Sequence, residues 1–143
     1  AGQSLELDAA TLEVSSFQLE TIAEFRPTIG VLLNLAPDHL DRHGSMENYI
    51  RVKARLFENQ KPFDYAIVQL EALRELGKLN LTPPSKIITF SATDTSADLH
   101  LDRSLLVSRL PDWAGPILDL FCDGPNLEGD QRTSPSALFG GGD

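Results

Sequence analysis

The residues best suited to chemistry lie in one short segment, residues 34–57, which reads NLAPDHLDRHGSMENYIRVKARLF. Mg²⁺ prefers carboxylate oxygens and water, and it tolerates an imidazole in a mixed site. The segment offers such donors within a few positions: Asp38, His39, Asp41 and His43. It therefore predicts a site for magnesium and phosphate. The alternative is an ordinary surface loop, in which Asp38 caps a turn, Asp41 pairs with Arg42 and both histidines are solvated.

A lysine, Lys53, follows the acidic and histidine residues on a predicted helix. Lysines at such positions are most often solvated surface residues. A free ammonium would repel a magnesium ion, although it could contact phosphate directly. The amine would become an anionic metal ligand if it were converted to a carbamate.

Composition limits the classes of protein to which this segment can belong. The chain has 143 residues, about the size of one domain. Its net charge of -9 argues against nucleic acid or an anionic membrane as a partner. No apolar run approaches the roughly 20 residues of a membrane span. The single cysteine, Cys122, cannot form an internal disulfide, and we interpret it as structural, in a cytoplasmic protein.

Strand and helix patterns alternate through the first two thirds of the chain. Predicted strands are TLEVSS, TIGVLLNL, DYAIVQL and KIITF, and predicted helices are FQLETIAEF, SMENYIRVKARLFENQ with Ser45 as N-cap, and LEALRELG ended by Gly77. This order predicts an α/β fold with part of a doubly wound, mostly parallel sheet. TIGVLLNL is apolar enough to be buried on both faces. Ligands of such sheets bind beyond the carboxyl ends of the strands, where we expect residues 13–16 and 34–39.

The predicted domain spans residues 1–122, and the Gly-, Pro- and Ser-rich residues 123–143 are predicted to be a loop-rich or disordered tail. LHL, LLV and GPILDLF would add a small β appendage. Half of a doubly wound sheet leaves one strand edge unpaired and apolar faces uncovered, which favours association.

Two stretches resemble the central ATPase domain of the Mur ligases: EVSSFQLE at residues 13–20 and LLNLAPDHLDRHGSMENYIRVKARLFENQ at residues 32–60. DHLDRHGSMENY is shared with the diamino-acid-adding member of that family. SSFQLE is most similar to the member that adds D-glutamate. The resemblance implies ATP-dependent amide formation between UDP-N-acetylmuramoyl-L-alanine and D-glutamate, with Mg²⁺ as cofactor.

The resemblance also assigns roles to individual residues. It implies that Glu13, His39 and Lys53 are metal ligands, with Lys53 carrying a carbamate. Ser15 and Gln18 would contact the muramoyl substrate. The residues expected to take part in catalysis are Lys53, His39 and Asp38.

Three departures from the family pattern accompany these matches. The chain contains no GxxxxGK[ST] phosphate loop, and Gln69-Leu70-Glu71 stands where an Asn-x-Asp-Asp ending is common. GDQRTSP, at residues 129–135, stands where Gly-x-His-Asn-x-x-Asn is expected. We therefore expect the second half of the central domain of a longer ligase whose remainder is missing, inactive in isolation. The alternatives are a noncatalytic binding or scaffold remnant and a fragment of the diamino-acid-adding ligase.

Overall fold

The computed structural model of the chain describes residues 8–120. They fall into two compact units, the first ending at Phe90 and the second beginning at Ser91. Cys122, the predicted tail and the GDQRTSP segment lie outside the described residues. Among the helices of residues 8–120, none has the length and apolar character needed to cross a bilayer.

The first unit has the alternating strands and helices of the predicted α/β fold. Its strands are β1 (Ile29–Leu32), β2 (Tyr65–Gln69) and β3 (Lys86–Ser91). Its helices are α1 (Ser16–Leu19), α2 (Leu40–His43), α3 (Met46–Ala54) and α4 (Leu70–Lys78), and a 3-10 helix, Arg55–Phe57, continues α3. β2 pairs in parallel with β1 and with β3. The predicted α/β class and parallel strands are confirmed.

The core of this unit lies on one face of the parallel strands. Gly30 and Leu32 of β1 and Ala66 and Val68 of β2 are buried on that face, because alternate residues of a strand point to the same side. α3, the 3-10 helix that continues it and α4 pack there, contributing side chains to one cluster with the strands: Ile50, Phe57, Ala72 and Leu76. Successive right-handed crossovers place consecutive helices on the same side of a sheet.

The opposite face of β1 corrects one prediction. Ile29, Val31 and Leu33 are 56%, 47% and 67% exposed, so the run TIGVLLNL is not buried on both faces within the described residues. The physical reason is that α3 and α4 both cover the other face. The run is apolar on both sides, but only one side has a partner here.

Buried polar side chains fix the amino ends of the strands. Asp64, just before β2, accepts two hydrogen bonds from the Arg26 guanidinium, each 2.8 Å long. The amide of Gln60 donates to the carbonyls of Pro27 and Tyr65, and its oxygen accepts from the Ser85 hydroxyl. These bonds join the chain before β1, β2 and β3 at one end of the sheet.

Two predicted elements near the start of the chain differ from the structure. TLEVSS forms no strand: residues 9–15 have no regular structure, and they do not pair with the edge that β1 leaves free in the described sheet. The helix predicted for FQLETIAEF stops at Leu19. Beyond it, backbone carbonyls accept hydrogen bonds from the side chains of Arg55 and Asn59 instead of from helical amides.

The end of α4 was also predicted slightly wrongly. Gly77 lies inside the helix, which continues to Lys78. Asn80 takes the left-handed conformation, with φ of 57°, and the amides of Asn80 and Leu81 donate to the carbonyls of Gly77 and Leu76. This is the hydrogen-bond pattern of a Schellman motif, in which Asn substitutes for the usual glycine.

The second unit contains the predicted β appendage. Its strands are β4 (Leu99–Asp102), β5 (Leu105–Ser108) and β6 (Gly115–Asp119), with a 3-10 helix, Pro111–Trp113, before β6. β5 pairs antiparallel with both neighbours. The ladder between β5 and β6 is irregular between Leu106 and Val107, where Pro116 opposite Val107 cannot donate a ladder hydrogen bond.

Candidate functional site

α1 is a single turn that is closed by its own side chains. The backbone amide of Gln18 donates to Ser15 Oγ at 3.3 Å, and the backbone amide of Ser15 donates to the side-chain oxygen Oε1 of Gln18 at 2.9 Å. This reciprocal pair is a capping box. The two residues predicted to contact the muramoyl substrate therefore lie together and are exposed. Their S-x-x-Q spacing signals such a cap in the sequence, although the pattern of TLEVSS predicts a strand that includes Ser15.

Phe17 of α1 lies against the segment that carries the predicted metal ligands. Its ring centroid is 4.9 Å from that of His39 and 5.8 Å from that of His43. The Arg42 guanidinium carbon lies 4.4 Å from the same ring centroid. The SSFQLE and DHLDRH motifs thus form one continuous patch of the first unit.

Asp38 and His39 are adjacent donors that remain open to solvent. His39 Nε2 lies 3.4 Å from Asp38 Oδ2, and the two side chains are 50% and 61% exposed. His39 has φ of 50°, in the left-handed region that residues with a Cβ rarely occupy.

His43 and Arg42 correct the surface-loop alternative. His43 is buried, with Nε2 3.1 Å from Ser16 Oγ and Nδ1 3.4 Å from Glu20 Oε1, so it is not solvated. Arg42 donates to Glu20 Oε2 at 2.8 Å and does not form the expected pair with Asp41. The hydrogen bond from Arg42 lowers the pKa of the Glu20 carboxyl.

Lys53 lies on α3 beside Tyr49. Its Nζ is 5.8 Å from the centroid of the Tyr49 ring, and that ring lies 5.5 Å from the ring of His43. Burial, and to a smaller degree the negative charge of Asp38, raise the pKa of the Tyr49 hydroxyl. Tyr49 therefore connects Lys53 to the side of the molecule on which Asp38 and His43 lie. The sequence pattern places Tyr49 on a predicted helix but gives no sign of this contact.

One side chain begins α3, and another bonds the end of α3 to the chain that follows α1. Ser45 caps α3 as predicted, with its Oγ accepting from the Asn48 amide. Arg55, immediately after α3, donates to the carbonyls of Glu20 and Ile22 at 2.5 and 2.7 Å. The helix that bears Lys53 is thereby bonded to the chain that leaves α1.

Glu13 is exposed and lies in the segment without regular structure, two residues before the cap of α1. Within residues 8–120, no three side chains from His, Cys, Asp and Glu are grouped closely enough to hold a metal ion. The shared role of Glu13, His39 and Lys53 as metal ligands stays a prediction.

An open pocket of about 310 Å³ lies beyond the carboxyl ends of β1 and β2, where ligands of parallel sheets bind. Its lining has apolar residues, Leu35, Met46, Ile50 and Ala72, and polar ones, Gln69, Glu71 and Glu75. Gln69 and Glu71 are the residues that replace the family's Asn-x-Asp-Asp ending. The departure from the family pattern singles out Gln69 and Glu71 in the sequence, but it does not predict a pocket there.

Comparison with known proteins identifies relatives of the chain. The sequence pattern of the Mur ligase middle domain matches residues 3–109. A UDP-N-acetylmuramoylalanine--D-glutamate ligase of Pelotomaculum thermopropionicum is 58% identical over 64 residues, which are 45% of this chain. A ligase of the same name from Caldanaerobacter subterraneus subsp. tengcongensis is 34% identical over 142 residues, covering 94% of the chain.

A solved structure of UDP-N-acetylmuramoyl-L-alanyl-D-glutamate--2,6-diaminopimelate ligase is also similar, with 31% identity and a TM-score of 0.50. The match covers 73% of this chain and 24% of that protein. The matches likewise cover 14% and 30% of the two glutamate ligases. The chain therefore spans less than a third of the length of each of these relatives.

Proposed function

Because this chain belongs to the Mur ligase family, whose middle domain it matches, we propose that it is part of an ATP-dependent ligase of peptidoglycan synthesis. The ligase would add D-glutamate to UDP-N-acetylmuramoyl-L-alanine, as the names of the similar ligases indicate for those proteins. We include a cytoplasmic location in this proposal, because ATP is one of the substrates.

The observation that carries the proposal is the packing of Phe17 against His39 and His43. This packing joins the two motifs that resemble the ligases into one surface. The proposed substrate contacts, Ser15 and Gln18, lie on one element of that surface, and Asp38 and His39 lie on the other. A substrate bound across α1 would thus be close to an exposed carboxylate and an imidazole.

In the proposed reaction, the terminal carboxylate of the muramoyl substrate attacks the γ-phosphate of ATP and ADP leaves. The amine of D-glutamate then displaces phosphate from the resulting acyl phosphate, which forms the amide. Ser15 and Gln18 would orient the muramoyl substrate through their hydroxyl and amide groups. Such positioning, together with charge stabilisation, is the main contribution of a protein to phosphoryl transfer.

The donor set fits a magnesium ion that is only partly enclosed by protein. Mg²⁺ is usually held by one or two carboxylates, waters and substrate phosphates. Asp38 and His39 are adjacent and exposed, as such a site requires. Glu13 would hold one Mg²⁺ ion, and His39 with the carbamate of Lys53 would hold a second, whose site Asp38 would help to order. Bound Mg²⁺ would neutralise charge on the transferring phosphoryl group.

The test measures binding and turnover by the chain of 143 residues. We expect heat on titration with Mg²⁺ and with UDP-N-acetylmuramoyl-L-alanine, and no release of phosphate from ATP, since the chain contains no GxxxxGK[ST] sequence. His39→Ala should abolish the Mg²⁺ heat, whereas Asp112→Asn, an exposed change in the second unit, should leave it unchanged. Phosphate release that depends on both substrates would contradict the expected inactivity.

A noncatalytic remnant of the same fold is the second candidate, and the lack of a three-donor cluster within residues 8–120 favours it. A remnant should give no heat with either ligand, and His39→Ala should then change nothing.

Competition between UDP-N-acetylmuramoyl-L-alanine and its D-glutamyl product addresses the diamino-acid-adding alternative. Preference for the product would support that alternative, in keeping with the similar solved structure.

A further inference from the structure

His43 contacts both ends of α1 through a single buried ring. Its side chain is 2% exposed. Nε2 lies 3.1 Å from the hydroxyl of Ser16, the first residue of α1, and Nδ1 lies 3.4 Å from the carboxylate of Glu20, which caps the end of α1. The ring therefore spans the helix turn that carries the proposed substrate contacts.

The chemistry of the two ring nitrogens matches these two neighbours. A neutral imidazole has one N–H donor and one acceptor nitrogen. With the proton on Nδ1, His43 donates toward the Glu20 carboxylate and accepts from the Ser16 hydroxyl at Nε2. A phenyl ring could reproduce the packing of His43 but neither polar contact.

Further contacts tie the same corner together. The ring of His43 contacts the rings of Phe17 and Tyr49. The backbone carbonyl of His43 accepts a hydrogen bond from the Asn48 side chain at 3.1 Å. Arg42, the preceding residue, bonds to the same carboxylate of Glu20. His43 thus has contacts with α1 and α3 as well as with its own helix, α2.

We propose that His43 is a positioning residue that holds the substrate-contacting turn, Ser15 to Gln18, at a fixed distance from Asp38 and His39. It acts through Ser16 and Glu20 and touches no reacting group itself. The inference rests on the proposed function, because that function gives Asp38 and His39 their metal and Ser15 and Gln18 their substrate. The inference adds His43 as the residue that holds the substrate contacts close to Asp38 and His39.

The experiment compares the whole chain with His43→Phe, which keeps an aromatic ring, and His43→Gln, which keeps a donor and an acceptor. Mn²⁺ is the probe, because it binds the oxygen and nitrogen donors that suit Mg²⁺ and broadens the NMR signals of nearby amides. His100→Phe is the matched control, since His100 is also buried, with Nδ1 3.3 Å from the Ala97 carbonyl, but lies in the second unit.

In the wild-type chain and the control, Mn²⁺ should broaden the amide signals of Asp38 and His39 and also those of Ser15 and Gln18. His43→Phe should keep the broadening at Asp38 and His39 and lose it at Ser15 and Gln18, while His43→Gln should retain both. If the Phe variant behaves like wild type, or if the Gln variant is the worse of the two, the ring matters only for packing and the proposal is wrong.

A metal-free measurement on the same samples separates this inference from the proposed function. The amides of Leu19 and Glu20 donate to the carbonyls of Ser15 and Ser16, so their hydrogen exchange reports on α1. We expect about tenfold faster exchange in His43→Phe than in His43→Gln, from the loss of the hydrogen bond with Ser16 and the contact with Glu20 that fix the turn. Absence of Mn²⁺ binding to wild type would refute the metal site alone, and equal exchange in the two variants would refute the role of His43.

Discussion

The two ends of the parallel strands in the first unit are held by different kinds of contact. At the amino ends, Gln60 and Asp64 are buried and bond to backbone groups or to a fixed guanidinium. Beyond the carboxyl end of β1, Phe17 packs on His39, and Asp38 beside it stays exposed. We refer to these regions as the strand-start end and the site end.

The difference separates stability from binding. Buried polar groups that are fully bonded fix the structure around them, since breaking any one bond leaves a desolvated group. Exposed donors can exchange water for a ligand at little expense to the fold. The site end also keeps His39 in a left-handed conformation, an unfavourable backbone state of the kind that occurs at functional sites. The strand-start end should therefore dominate unfolding, and the site end should dominate ligand binding.

Removing the Phe57 ring should have the largest effect. Phe57 is 1% exposed and packs so closely on β1 that a Cβ at Gly30 would lie 3.0 Å from it. Phe57→Ala should lower the free energy of unfolding by about 3–5 kcal/mol, through lost burial and the cavity left behind. Urea unfolding followed by circular dichroism measures this. Phe63→Ala, at a ring 64% exposed, is the control and should change stability far less.

Gln60→Ala should have the next largest effect. It leaves the carbonyls of Pro27 and Tyr65 and the hydroxyl of Ser85 without their partner. We expect a loss of about 2–3 kcal/mol in the same urea experiment, since each desolvated group contributes to the penalty. Gln69→Ala, which truncates a half-buried glutamine on β2, is the matched control. Similar losses in the two variants would contradict the special role of the strand-start network.

Acid should weaken the strand-start end through Asp64. The hydrogen bonds from Arg26, and then that from the Lys61 amide, lower the pKa of Asp64 below its ordinary value of 3.8. A lowered pKa means that the charged carboxylate stabilises the fold fully above the ordinary value, and that this stability is lost as the pH falls through the folded value.

The measurement is the urea midpoint of wild type and Asp64→Asn at about pH 3 and about pH 6, on either side of the ordinary carboxyl pKa. The wild-type midpoint should fall more between the two pH values than that of the variant. Glu20→Gln provides the comparison at the site end. Arg42 also lowers the pKa of Glu20, but the Arg42 side chain is exposed, so this change should flatten the pH dependence less.

Local sequence patterns were sufficient to predict the strands β1, β2 and β3 and the start of α3. The apolar runs of β1, β2 and β3 and the Ser45 cap could be predicted because they depend on residues close in sequence. The strand assigned to TLEVSS does not form, because the pattern of a segment does not say whether it pairs with the free edge of β1. The helix assigned to FQLETIAEF ended early, because Arg55 and Asn59, more than 30 positions away, bond to its carbonyls.

The same distinction applies to the candidate site. Motif resemblance identified Ser15, Gln18, Asp38, His39 and Lys53, because the chemistry of a family is carried by short segments. It did not identify Phe17, His43 or Tyr49 as the rings that join those segments. Their roles come from contacts between separate helices, and a histidine or tyrosine gives no local sign in the sequence of the partner it will meet.

The smallest effect expected concerns the conformation of His39, and it tests whether the site end keeps an unfavourable residue for the sake of binding. His39→Gly and His39→Ala both remove the imidazole and its contact with Phe17, but only glycine adopts a φ of 50° without strain. His39→Gly should be more stable than His39→Ala by about 1 kcal/mol, measured by urea unfolding.

Arg103, with φ of 56° in the β4–β5 turn, is the matched position. Arg103→Gly should gain a similar amount over Arg103→Ala while leaving Mn²⁺ binding intact, whereas both His39 variants should lose it. If Ala and Gly at position 39 are equally stable, or if they still bind Mn²⁺ like wild type, then His39 is not retained there for a metal.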